Sequence, residues 1–90
     1  MRYLLDTNVI SELRKRHGDA GVSAWVTGRA ATELAISVIT VVEIEVGIRR
    51  RARSDPGQAA ALARWFEDRV LVGFEGRILP LDLAAAQRVA

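Results

Sequence analysis

Three short, largely apolar runs, Tyr3-Leu4-Leu5, Leu34-Ala35-Ile36-Ser37 and Arg77-Ile78-Leu79, are separated by stretches whose apolar residues recur every three or four positions. Runs of that length bounded by polar residues read as buried strands, and the intervening period is that of amphipathic helices. Strands alternating with helices predict a parallel sheet with right-handed crossovers and helices on both faces. The expected fold class is α/β, a three-layer α/β/α arrangement to which this chain supplies about three strands and four to five helices.

Local signals place the helices. The first is expected from Asn8 to about Arg16, with Val9, Ile10 and Leu13 on one face and Gly18 as its stop. The second opens at Asp19, buries Val22, Trp25 and Val26, and ends near Gly28. The third begins near Thr40 and runs through Glu43, Ile44 and Ile48 into Arg49-Arg50-Arg51. Ser54-Asp55-Pro56 starts the fourth, because proline at the first helical position loses no needed donor while Asp55 caps the free amides. Its stripe is Ala59, Leu62, Ala63, Phe66 and Val70, flanked by Trp65 and stopped after about Val72 by Gly73. Pro80 closes the third strand, and Asp82 caps a last helix through Leu83, Ala84 and Ala85. The helical pattern still runs at Gln87-Arg88-Val89-Ala90 without a glycine or proline stop, so residues 1–90 are expected to be the N-terminal part of one larger domain.

Ninety residues leave room for one small domain. Half of them are hydrophobic, in runs too short to cross a membrane, which excludes both a disordered chain and a membrane span. The chain has no cysteine and its first residues lack a secretory layout, so a cytoplasmic location is expected. The net charge is only +2, but the positive charge is clustered in Arg14-Lys15-Arg16 and in Arg49-Arg50-Arg51 with Arg53. Arginine forks match phosphate oxygens, and basic residues at a helix end also complement its dipole, so both readings apply. His17 reads as a surface residue; Trp25, Trp65 and Phe66 read as core or interface.

Two acids follow strands. Asp6 comes directly after the first apolar run and Glu43 shortly after the second, at the carboxyl ends where open α/β sheets gather their chemistry. If the two strands are parallel neighbours, both carboxylates reach one rim. Paired carboxylates repel unless a cation intervenes, and magnesium or manganese, which prefer oxygen ligands, removes the conflict. Each acid also has a structural reading. Asp6 can cap the first helix, and Thr40-Val41-Val42-Glu43 has the spacing of a capping box. Glu45 reads as a solvated charge, and Gly47, inside a helix, as a point of close packing against a neighbouring backbone.

The stretches Leu4-Leu5-Asp6-Thr7-Asn8-Val9-Ile10-Ser11-Glu12-Leu13 and Ile36-Ser37-Val38-Ile39-Thr40-Val41-Val42-Glu43-Ile44-Glu45-Val46-Gly47 together resemble the PIN domain of VapC-type toxins, in the FitB-like branch. The resemblance implies a five-stranded parallel sheet and a Mg2+- or Mn2+-dependent endoribonuclease. It also implies a homodimer held in check by a VapB-type antitoxin. By the same resemblance Asp6 is a metal-binding catalytic acid, Glu43 the second catalytic acid, Asn8 a polar neighbour supporting the site, and Thr7 and Thr40 groups behind it. The family's later aspartates have no match here, and Asp82 comes too early to be one. The chain is therefore expected to be truncated and to be inactive alone.

Three rivals stand beside this reading. A haloacid-dehalogenase-like phosphatase also places an aspartate after its first strand, but wants another two positions on, where this chain has Asn8; a receiver-like domain wants adjacent acids there. A non-catalytic RNA- or protein-binding module would use the arginines and leave the acids as caps.

Overall fold

The computed structural model describes residues 2–15 and 17–80. Three parallel strands lie in the order β1-β2-β3: β1 (Tyr3–Leu4), β2 (Leu34–Ser37) and β3 (Ile78–Leu79). Tyr3 and Leu4 pair with Leu34 and Ala35, and Ile36 and Ser37 pair with Ile78 and Leu79. Helices α1 (Thr7–Arg14) and α2 (Ala20–Thr27) link β1 to β2, and α3 (Val38–Ser54) and α4 (Pro56–Trp65) link β2 to β3. A π turn over Phe66–Leu71 extends α4. The α/β class and the parallel sheet are as the sequence implies. Arg16, Asp82 and the helix expected through Leu83-Ala84-Ala85 lie outside the described residues.

Side chains alternate along a strand, so register decides what is buried. Tyr3, Leu5, Leu34, Ile36 and Ile78 share one face and meet Ile10 of α1, Val26 of α2, Ile44 of α3, and Phe66 and Val70 of the π turn in a single core. All four described helices contribute to that core, so one face of the sheet receives its helical layer from these residues. Leu4, on the alternate face, is 47% exposed.

Three local details depart from the sequence reading. Helix α3 starts at Val38 rather than near Thr40, because Ser37, the last residue of β2, is its N-cap and accepts from the Thr40 amide at 3.3 Å. The fourth helix does not run on as a regular α-helix, since it widens into the π turn at Phe66. The cost of Gly47 in mid-helix is not repaid by close packing: among the described residues nothing lies within 4 Å of where its Cβ would stand.

Arg77 fixes the third strand to its neighbour. Its guanidinium donates to the carbonyls of Ala31, Leu34 and Gly73, tying the entry of β2 to the turn after the π segment, and stacks over Phe74. Gly76, with φ of 80°, makes the left-handed turn just before it. Helix α2 is held less by burial than by aromatic contact. Trp25 meets Tyr3 edge to face with ring centroids 5.0 Å apart, and the Arg29 guanidinium lies over both rings.

Candidate active site

The chain leaves β1 through Leu5, whose amide donates to Ala35 O at 2.8 Å, and turns at once into α1. Asp6 makes that turn. Its backbone is extended and its Oδ1 accepts from the Val9 amide at 2.9 Å, so it caps α1 as the sequence allowed. The bond occupies one oxygen. Asp6 is exposed, and among the described residues its Oδ2 accepts no hydrogen bond, which leaves that oxygen open to a cation or water.

Glu43 is the sixth residue of α3, which begins where β2 ends. The capping-box reading of Thr40 and Glu43 is overturned by geometry. With Ser37 as the cap, the box position falls on Thr40, and Glu43 lies a turn further on, exposed and free of any role at the helix end. The capping explanation for this acid is thereby removed.

Thr7 and Thr40 connect the two segments. Thr40, 4% exposed, receives a hydrogen bond at 3.3 Å from the hydroxyl of Thr7, the residue next to Asp6. Along the chain, Asp6 comes one residue before Thr7 and Glu43 one helical turn after Thr40. Because β1 and β2 are parallel neighbours, both elements start from the same rim of the sheet. Asn8, also exposed, lines an open cleft with Asp6, Val9, Glu12, Asp19 and Val22.

Glu43 is not among the walls of that cleft. The cleft does hold two acids that the sequence reading did not place at the site, Glu12 and Asp19, and both are committed to structure. Glu12 Oε1 accepts from the Asp19 amide at 2.6 Å and Oε2 from Lys15 Nζ at 3.1 Å. The Asp19 amide above all, and then Lys15, hold the Glu12 carboxyl below its ordinary range. Asp19 caps α2 through the amides of Gly21 and Val22. The spacing Glu12–Asp19 across a helix end was the available signal. Among the described residues no group of three or more histidine, cysteine, aspartate or glutamate side chains is gathered closely enough to hold a metal.

A parallel sheet linked through helices, with candidate acids after two of its strands, defines an α/β protein, and comparison with known proteins specifies which. The PIN domain family model matches residues 3–90, and the chain belongs to the PIN domain family. It is 44% identical over 71 residues to Ribonuclease VapC14 of Mycobacterium tuberculosis (strain CDC 1551 / Oshkosh), covering 79% of this chain and 69% of that protein. It is 39% identical over 88 residues to VapC ribonuclease Y4jK of Sinorhizobium fredii (strain NBRC 101917 / NGR234), covering 97% of this chain and 61% of the relative. The crystal structure of FitAcB from Neisseria gonorrhoeae superposes with a TM-score of 0.77 at 36% identity, over 93% of this chain and 59% of that one, which supports the FitB-like branch. The chain thus spans roughly three-fifths to two-thirds of the length of these relatives.

Proposed function

We propose that the protein is the toxin of a toxin–antitoxin pair and hydrolyses RNA phosphodiester bonds with the help of a divalent metal. The observation carrying this reading is the Thr7–Thr40 hydrogen bond, which couples the element bearing Asp6 to the element bearing Glu43 within a fold whose relatives are named as VapC ribonucleases.

The donor set suits Mg2+ or Mn2+: carboxylate oxygens with hydroxyls behind them and no soft ligand. Asp6 Oδ2 would hold the metal, with Glu43 as the second acid, while the Asp6 Oδ1 bond to Val9 fixes the carboxylate plane. Such an ion, when bound, supplies charge neutralisation for the phosphodiester and activates water. The chain's own contribution is positional. Thr40 and Thr7 join the two acidic segments, Asn8 offers a polar side chain beside Asp6, and Glu43 would accept a proton or orient a water. Two carboxylates are few for an octahedral ion, so residues 1–90 on their own should bind it weakly and not cleave.

The likeness to FitAcB favours an antitoxin as partner; a homodimer as the working form and the cytoplasm as the setting are part of the same proposal and rest on the resemblance alone. No described helix is long and apolar enough to cross a membrane. The test is metal-dependent cleavage of RNA by the protein carrying this chain. Cleavage lost on Asp6→Asn with RNA binding retained supports the nuclease; unchanged cleavage refutes the assignment.

A further inference from the structure

The exposed arginines of α3 do not share one explanation. Arg51 and Arg53 lie in the last turn, where they complement the negative end of the helix dipole. Arg49 lines a cleft between α3 and α4 together with two carboxylates, Glu45 and Glu67. Arg50 has neither role. It precedes the last turn and is not part of that cleft, and the ion pair found among the described residues joins Lys15 to Glu12.

Helix geometry places Arg50 meaningfully. Seven positions after Glu43, it is about 20° from it around α3 and about 10 Å further along the axis. Gly47 lies between them on the same side, exposed, with open space where a Cβ would stand. A glycine that weakens a helix and, among the described residues, packs against nothing leaves bare backbone at a specific place. Here that place is the interval between a candidate catalytic acid and a guanidinium with no ion pair among the described residues.

We propose that this side of α3 is a track for the backbone of single-stranded RNA, in which bare Gly47 lets the sugar-phosphate chain lie against the helix and Arg50 forks a phosphate beyond the one at Glu43. The proposal rests on the nuclease reading above. Guanidinium forks match phosphate geometry, and basic grooves follow single strands in this way. An acidic peptide fits less well, since the interval offers no side-chain pocket and its other end is a carboxylate.

The test measures binding of a labelled single-stranded RNA in chelator, over a salt series, to the protein carrying this chain. Arg50→Gln should flatten the slope of log K against log salt by about 0.7, the loss of one phosphate contact, and should raise KM when metal is restored. Gly47→Leu should melt no lower than the parent, because leucine suits a helix and meets open space, yet bind RNA severalfold more weakly. An unchanged slope in Arg50→Gln overturns the proposal, as does a Gly47→Leu variant that melts lower while keeping its RNA affinity. Weakened binding of an acidic peptide with RNA affinity intact does so too. Because binding is read without metal, a protein that uses the track but never cleaves would sink the nuclease reading alone, and one that cleaves with an unaltered slope would sink the track alone.

Discussion

The hydroxyl of Thr7 donates to that of Thr40 at 3.3 Å, joining residues 33 positions apart and holding the start of α1 against the first turn of α3. The bond aligns the segments that carry Asp6 and Glu43. Thr40→Val keeps the shape of the side chain, removes the acceptor and strands the Thr7 hydroxyl in a partly buried position. It should destabilise the protein by about 1 kcal/mol in chemical denaturation and weaken Mg2+ or Mn2+ binding as well. A variant with parental stability and metal affinity would show that the pair positions nothing.

Asp6 has one observed role, as the cap of α1, and one proposed role, as a metal-binding acid, and a single substitution separates them. Asparagine caps a helix about as well as aspartate, so Asp6→Asn should leave the unfolding midpoint within about 0.5 kcal/mol of the parent. Metal-dependent RNA cleavage should fall below detection. A large loss of stability instead would mean that the ionised carboxylate serves the fold.

Gly47 offers a test of opposite sign. Alanine there gains helix propensity and meets no neighbour among the described residues, so Gly47→Ala should raise stability by about 1 kcal/mol. Thermal or denaturant melting reads this directly, and a drop in midpoint would restore the close-packing reading.

Acid should loosen the junction of α1 and α2. Glu12 is held below its ordinary value of 4.5 by the Asp19 amide and by Lys15, so folding binds its ionised form preferentially. That contribution is complete above the unfolded value and disappears as pH falls through the lower folded one. Protection of the Asp19 amide, its exchange taken relative to the intrinsic rate at each pH, should therefore fall on acidification below about 4.5, the ordinary value. Glu12→Gln should remove that pH dependence, and persistence of it in the variant would implicate another group.

Much of this architecture is legible in local chemistry. Apolar runs bounded by polar residues give β1, β2 and β3, and Asp6, Asp19 and Asp55 each announce the helix they cap. The start of α3 is harder, because Ser37 and Thr40 are both competent caps three residues apart, and only β2's end decides between them. The π turn is hidden because Phe66 and Val70, four apart, satisfy an α-helical stripe equally well. For the site, position after a strand singled out Asp6 and Glu43. The contact between Thr7 and Thr40 depends on how α1 crosses to α3, and the three carbonyls gathered by Arg77 depend on how β3 docks; no short-range pattern encodes either.

Trp25, set edge-on to Tyr3 and beneath Arg29, gives the protein an internal optical gauge. Its indole touches the strand that ends two residues before Asp6, and 38% of the residue remains open to solvent. Emission from this ring will shift whenever α2 lifts from the sheet, so occupation of the neighbouring cleft by an ion or a partner can be followed without an attached dye.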